Sequence, residues 1–149
     1  MNIEVSELCL SDRKDWEKLY YGYAEFYKVP MNQEILDTVW SWIFDEQNQF
    51  YALIAKSVDG LSHGIMHYRE MASPLRGTSV GFLDDLYVNP DSRGQGVVDA
   101  LYQALIESAK SKGWPFVRWV TAENNYRARR VYDKIAEKTL WITYQLATK

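Results

Sequence analysis

Apolar side chains recur along the first third of the chain at the spacing of helices. In residues 13–27 and 33–44 the large hydrophobic residues fall three or four positions apart, which predicts two helices that each bury one face. Residues 3–8 alternate apolar and polar side chains instead, and this two-residue period predicts a strand ahead of the helices.

The spacing changes to that of strands after residue 50. Residues 50–56 and 62–70 predict two strands, and the Asp59-Gly60 turn between them predicts a hairpin. Residues 80–88 are apolar enough to form a strand buried on both faces. The Asn89-Pro90 pair then ends that strand.

The last third alternates between helix and strand. Residues 97–112 have a strong helical period that Gly113 closes, and residues 125–135 predict another helix. Residues 116–121 and 140–146 predict strands. The complete order is β-α-α-β-β-β-α-β-α-β, which indicates an α/β fold with a mixed sheet (α+β) in a single domain over residues 1–149.

Composition and charge narrow the class of partner. The chain has 149 residues, 47% of them hydrophobic, and a formal net charge of -3, so nucleic acid is not an expected partner. Residues 1–50 carry ten acidic and four basic side chains, whereas residues 110–134 carry seven basic and two acidic ones. This asymmetry favours a cation-binding part and an anion-binding part, unless both are ordinary solvated helix faces.

The cysteine and histidine content gives no sign of a metal site. Cys9 is the single cysteine, and His63 and His67 lie too far from it in sequence for a metal-ligand motif. The acidic N-terminal residues do not resemble a signal peptide, and no apolar run approaches the roughly 20 residues that cross a bilayer. We therefore expect a cytoplasmic protein without a membrane partner.

A strand, a glycine turn and a helix follow one another over residues 84–98, DDLYVNPDSRGQGVV. Unpaired N–H groups at the start of a helix attract anions, and glycines let the backbone approach a phosphate closely. Both the dinucleotide fingerprint and the nucleotide-triphosphate loop are absent. The segment therefore indicates a pyrophosphate cradle, although a plain turn between a strand and a helix would look the same.

A second segment about thirty residues later makes the first more specific. Together they resemble the GNAT family of N-acetyltransferases, whose cofactor loop reads R/Q-x-x-G-x-G/A and is matched at Arg93 and Gly96. A later helix of that family often reads N-x-x-A-x-x-hydrophobic-Y-x-K. It is matched throughout by Asn125, Ala128, Val131, Tyr132 and Lys134. The resemblance implies the GNAT acyltransferase fold, and the chain looks closest to the histone/polyamine branch.

The resemblance also implies acetyl-CoA as cosubstrate and a set of residues that bind it. The implied cofactor residues are Leu86, Tyr87 and Val88 on a strand edge, Arg93, Gly94, Gln95, Gly96, Val97 and Val98 in the loop, and Asn125. Two positions depart from the family pattern: Val98 stands where Gly or Ala is preferred, and Ala136-Glu137 replaces a Gly-Phe pair. The branched side chain of Val98 could crowd the cofactor.

Three residues are implied in catalysis. Tyr132 matches the tyrosine that would protonate the leaving thiolate. Asp84 is the first choice for the base that deprotonates the amine, because its position is similar to a glutamate of diamine acetyltransferases, and Asp85 is the alternative. Neighbouring residues of a regular strand point to opposite faces, so only one of these carboxylates should face the site. For either aspartate, a carboxylate that is structural, or that only attracts the substrate, fits the sequence equally well.

The acceptor is expected to be a primary amine. In this family the first two helices wall the acceptor site, and here they carry aromatic and acidic side chains that suit a cation. These are Tyr20, Tyr21, Tyr23, Phe26, Tyr27 and Trp40, with Glu25, Glu34 and Asp37. A polyamine, a diamine or a lysine-like small molecule is favoured, and a protein or peptide amine stays open. Homodimers are common in the family.

Two other classes of function remain. A non-catalytic acyl-CoA-binding regulatory domain of the same fold is compatible with Val98, although it would not need Tyr132. An unrelated α/β interaction module could use the aromatic helices as its binding surface, but it would not explain two family motifs at the expected separation.

Overall fold

The computed structural model describes residues 2–149, and its elements follow the predicted order as far as the last helix. The strands are β1 (Ile3–Glu7), β2 (Phe50–Ser57), β3 (Ser62–Ser73), β4 (Thr78–Val88) and β5 (Val117–Arg118). The helices are α1 (Arg13–Tyr27), α2 (Gln33–Phe44), α3 (Val97–Lys112) and α4 (Tyr126–Ile135). The mixed α/β class is confirmed, and the first three helices begin and end where the sequence predicts.

The five strands form one sheet in the order β1-β2-β3-β4-β5. The first four are antiparallel neighbours, and the hairpin predicted at Asp59-Gly60 joins β2 to β3. β5 runs parallel to β4 but pairs with it only at Gly81 and Phe82. It is therefore much shorter than the predicted strand at 116–121, and β4 continues past it towards Val88.

A β-bulge interrupts β4 at Asp84. His67 of β3 is opposite Asp85 and Tyr68 is opposite Leu83, so Asp84 has no partner residue on β3. Such an extra residue shifts the side-chain alternation of the strand. Leu83 before the bulge and Leu86 after it accordingly pack into the same core cluster, although they are three positions apart in the sequence.

Within the first compact unit, which ends at Trp119, helices cover both faces of the sheet. One face packs against α3 through a core that contains Leu101, Leu105 and Trp114. The other face packs against α1 and α2 through a core that contains Trp16 and Leu36. The helical period of the sequence explains this arrangement, because each helix turns one apolar stripe to the sheet.

Val120–Lys149 form a second compact unit with α4 as its helix. The strand predicted at residues 140–146 is wrong: residues 136–149 contain no strand. Five large side chains there are 76–97% exposed, namely those of Leu140, Trp141, Ile142, Tyr144 and Leu146. Alternating β-branched and aromatic residues favour a strand, but a strand forms only where a neighbouring backbone is in register to pair with it.

The helices in residues 2–149 are all too short or too polar to cross a membrane.

Candidate active site

A polar cleft of about 400 Å³ opens beside β4 on the face of the sheet that α2 covers. Its walls come from the end of α2, the loop that follows it and the middle of β3 and β4. They are Trp42, Gln47, Asn48, Gln49, Phe50, Arg69, Glu70 and Asp84. A few charged groups on such a concave surface can orient a small polar ligand.

Asp84 brings a carboxylate with an unsatisfied oxygen to this cleft. Its Oδ1 lies 3.2 Å from Nη2 of Arg69, while its Oδ2 is buried and accepts no hydrogen bond from residues 2–149. Burial raises the pKa of Asp84, and the neighbouring negative charge of Asp85 raises it further, although Arg69 and His67 oppose the shift. Asp84 is therefore a better proton acceptor than an ordinary aspartate at neutral pH.

Asp85 has the opposite environment. Its Oδ2 accepts hydrogen bonds from the Tyr20 hydroxyl and from Nδ1 of His67, each over 2.9 Å. Burial by itself would raise the pKa of Asp85, but the hydrogen bonds from His67 and the tyrosines outweigh it and hold that pKa below its usual range. A carboxylate so well satisfied is a poor base, and it acts here as the acceptor of a buried network.

The network continues through His67 to α1. Nε2 of His67 accepts a hydrogen bond of 2.9 Å from the Trp16 indole N–H, and the imidazole is completely buried. An indole N–H can only donate, so Nε2 carries no proton and Nδ1 donates to Asp85. The same logic applies to Tyr20, whose pKa is raised by burial and then by Asp85, so that its hydroxyl stays protonated and donates.

The bulge turns both aspartates to the same face of the sheet. Asp85 bonds to Tyr20 of α1, and Asp84 shares the cleft with Trp42 of α2 and with Phe50. The two carboxylates are close enough for the charge of Asp85 to raise the pKa of Asp84. Asp84 lines the cleft and Asp85 does not, so which of the two carboxylates is the base stays a prediction.

The glycine turn has the geometry of an anion cradle. Gly94 and Gly96 have φ of +75° and +85°, and no atom lies within 4 Å of where a Cβ would stand on either. Gly96 precedes α3 without a side-chain cap, and the first helical hydrogen bond runs from Ala100 N–H to the Gly96 carbonyl. The N–H groups in the first turn of α3 therefore have no helical acceptor, which fits the pyrophosphate of CoA.

The loop side chains leave this cradle open. Val98 is half-buried and packs against the core on the α3 face, so its branched side chain points at least partly into the protein. Arg93 is exposed, with its guanidinium 5.8 Å from the Phe26 ring centroid, and Gln95 is exposed too. The contact of Val98 with this core turns part of its side chain away from the loop.

The edge of β4 at Leu86, Tyr87 and Val88 lies beyond the last pair with β5. Within residues 2–149, β3 alone pairs with this stretch of β4, on the opposite edge. An unpaired edge of this kind offers backbone hydrogen bonds to an extended ligand. That geometry fits the pantetheine arm of CoA.

Two of the implied residues belong to the second unit. Asn125 precedes α4, and its side-chain oxygen accepts a hydrogen bond of 3.3 Å from Ala128 N–H, so it caps that helix. Tyr132 is half-buried on the same helix. The amide group of Asn125 keeps its two N–H donors for another partner.

The sequence did not single out Arg69 or His67 as site residues. Glu25, Glu34 and Asp37 do not line the cleft, whose acids are Glu70 and Asp84. Trp40 is a core residue. The alternation of β3 would have placed His67 on a buried face, but its partners come from α1 and β4, which no local pattern connects.

Comparison with known proteins assigns the family. A family model described as "Acetyltransferase (GNAT) family" matches residues 15–136. The chain belongs to the GNAT family. It is therefore an N-acetyltransferase, and the acyl donor used by this fold is acetyl-CoA. Among residues 2–149, no group of three or more His, Cys, Asp or Glu side chains could hold a metal ion.

Two curated relatives and one solved structure are similar to this chain. A D-amino-acid N-acetyltransferase from Saccharomyces cerevisiae is 30% identical over 96% of this chain and 89% of its own. A thialysine N-epsilon-acetyltransferase from Caenorhabditis elegans is 24% identical over 97% and 92%. The fold is shared with AAC(6')-Iy in complex with the bisubstrate analogue CoA-S-monomethyl-acetylneamine, at TM-score 0.83, 16% identity and full coverage of both chains.

Proposed function

We propose that the protein transfers the acetyl group of acetyl-CoA to the primary amine of a small molecule held in the polar cleft. The observation that carries this proposal is the carboxylate of Asp84, which lines the cleft, has an oxygen without a partner and has a raised pKa. Residues 1–149 would act as one catalytic domain. The acetyl group arrives activated as a thioester of CoA.

Asp84 would supply the base. A primary amine has a pKa near 10, so it enters mostly as ammonium and must lose a proton before it can attack a carbonyl carbon. The Asp84 carboxylate takes that proton, an N–C bond forms, and the C–S bond breaks. Asp85 stays ionised and holds His67 and Tyr20 in place, which keeps the wall of α1 fixed against β4.

Tyr132 would protonate the departing sulfur, as the family resemblance implies. We expect Tyr132→Phe to lower kcat about 100-fold, near the lower end of general-acid effects, because a thiolate is a better leaving group than an alkoxide. Tyr126→Phe, an exposed tyrosine of the same helix, is the control. Steady-state CoA release measures both variants, and equal rates for them would remove Tyr132 from the mechanism.

The donor would be held by the cradle and by the edge of β4. The N–H groups of residues 94–98 bind the pyrophosphate beside Arg93, the backbone of Leu86, Tyr87 and Val88 pairs with the pantetheine arm, and Asn125 touches that arm. A backbone N–H at this edge would also polarise the acetyl carbonyl.

Gly96 provides the test of the cradle. An alanine at φ +85° costs about 1–2 kcal/mol and shifts the local backbone, so we expect Gly96→Ala to raise the Kd of acetyl-CoA about tenfold. Gly60→Ala is a matched control, since Gly60 has φ +84° and equally open surroundings in the β2–β3 turn. Calorimetric titration with acetyl-CoA decides: equal Kd values in the two variants would place the pyrophosphate elsewhere.

The acceptor we propose is a small primary amine, whose class a panel of amines can identify. The sequence favours a cationic amine such as a polyamine or a lysine-like molecule, and the names of the relatives add amino acids. CoA release should be measured with spermidine, putrescine, lysine, D- and L-amino acids, a basic peptide and an aminoglycoside, each against a blank without amine. Release with none of them, while acetyl-CoA still binds, would favour a non-catalytic acyl-CoA-binding domain.

A further inference from the structure

Arg69 places a positive charge in the same cleft as the proposed base. Its Nη2 lies 3.2 Å from Oδ1 of Asp84, and its side chain is 51% exposed while that of Asp84 is 25% exposed. The rest of the wall is made of amides and aromatic rings, apart from Glu70, whose Oε1 accepts a hydrogen bond from the Trp114 indole. The cleft therefore holds one cation, Arg69, paired with Asp84, and a second carboxylate on Glu70.

The guanidinium of Arg69 has contacts in the cleft, but they do not use all of its hydrogen-bond donors. It lies 4.9 Å from the Phe82 ring centroid, and Asp84 is its one ion-pair partner within residues 2–149. A guanidinium has five N–H donors in a fixed fork, so most of them remain for a ligand. The ligand group that matches such a fork is a carboxylate bound through two parallel hydrogen bonds.

We propose that the acceptor is an α-amino acid, with its carboxylate on Arg69 and its amine on Asp84. This inference rests on the proposed function. In an α-amino acid the amine nitrogen and the carboxylate carbon are only about 2.5 Å apart, since one carbon separates them. Opposite charges that close require binding groups that are themselves neighbours, which Arg69 and Asp84 are.

The same pair disfavours the other amines. A polyamine offers no anion to Arg69 and brings a second cation towards it, which is repulsive in a partly buried site. The terminal amine of a lysine-like molecule lies about 6–7 Å from its carboxylate, too far to use both groups of the pair at once. The cleft therefore selects the α-amine over an ω-amine.

Engaging Arg69 would also activate the base. Arg69 opposes the rise in the pKa of Asp84, so a substrate carboxylate that neutralises the guanidinium leaves Asp84 with a stronger affinity for the amine proton. An amine without a carboxylate does not bring this change. The expected preference is therefore in kcat as well as in KM.

The test pairs each amino acid with the amine that lacks its carboxylate. We expect the native protein to have at least 100-fold higher kcat/KM for phenylalanine, in its better enantiomer, than for 2-phenylethylamine. Arg69→Met should lower kcat/KM for phenylalanine about 100-fold. It should not lower kcat/KM for 2-phenylethylamine, because removing the guanidinium takes away an interaction that lowers the pKa of Asp84. Arg76→Met is the matched control, because Arg76 is also an exposed arginine packed on a ring, that of Phe116, and lies outside the cleft.

Lysine gives a second readout from a single reaction. Mass spectrometry of its product should show acetylation at the α-nitrogen, and acetylation at the ε-nitrogen would overturn the inference. Equal losses for phenylalanine and 2-phenylethylamine in Arg69→Met would also overturn it, because Arg69 would then serve Asp84 alone.

A binding measurement separates this inference from the proposed function. If no amine releases CoA, the proposed transferase activity fails, and calorimetric titration with N-acetylphenylalanine still tests the carboxylate site. Binding that weakens at least tenfold in Arg69→Met and not in Arg76→Met supports the inference. Binding that is absent or equal in all three proteins contradicts it.

Discussion

Asp84→Asn should lower kcat about 1000-fold while the KM for acetyl-CoA stays within threefold. General bases contribute typically 100- to 10,000-fold, and an amide cannot take the proton of an ammonium. The native protein should show an acid limb in kcat/KM whose pKa lies above the ordinary value of an aspartate, about 3.9, because burial raises the pKa of Asp84. That limb should be missing from the variant.

Glu70→Gln is the matched control for Asp84→Asn. It removes the same charge from the same cleft, but its carboxylate already accepts a hydrogen bond from Trp114. We expect a change in the KM of the amine with kcat within about threefold. If Asp84→Asn behaves in the same way, with its whole effect in the KM of the amine, then Asp84 attracts the substrate and another group is the base.

His67→Leu should lower the free energy of unfolding by about 2–5 kcal/mol. Leucine is similar in size to histidine, so the cavity is small, but the Trp16 indole N–H and Oδ2 of Asp85 each lose a buried partner. The orphaned indole N–H costs about 1–3 kcal/mol, and Asp85, which keeps its hydrogen bond from Tyr20, loses a charge-assisted one worth about 1.5–3 kcal/mol. Urea unfolding followed by circular dichroism measures the difference.

A double-mutant cycle identifies the cause. Trp16→Phe should cost about 1–3 kcal/mol in the native protein, because it leaves Nε2 of His67 without a donor, and less than that in the His67→Leu background, where this penalty has gone. Additive effects would show that the two residues contribute by packing alone.

The pH dependence of the His67→Leu deficit follows from Asp85. The folded-state pKa of Asp85 is depressed below its unfolded value, near 3.9, so its stabilising contribution is complete above about pH 4 and disappears as the pH falls through the folded pKa. The gap in stability between the native protein and His67→Leu should therefore be constant near neutral pH and narrow below pH 4.

Local pattern was sufficient for most of the fold. α1, α2 and α3 begin and end as predicted because the apolar period and end signals such as Gly113 lie within the helices or beside them. The strand at 140–146 was wrong because pairing depends on a distant backbone. β5 was overpredicted for the same reason, since β4 accepts it at two residues only.

The candidate site was predictable where a family motif runs along the chain and not where it depends on packing. The glycine turn before α3 and the pair Asp84-Asp85 stand out in the sequence. The opposite environments of these two aspartates do not, because they depend on Arg69 and His67 of β3 and on Tyr20 of α1. The bulge could not be predicted either, because one extra residue in a strand does not change the composition.

The extra residue in β4 changes which residues of this strand face each side of the sheet. Residues up to Leu83 follow one odd–even assignment to the two faces, and residues from Asp85 follow the other. A one-codon deletion at this point would exchange core and cleft positions along one arm of the strand, which no substitution can do. An alignment of relatives that opens a gap here would compare an inward residue of one protein with an outward residue of another. Gap placement in β4 therefore decides which residue of a relative is read as the counterpart of Asp84.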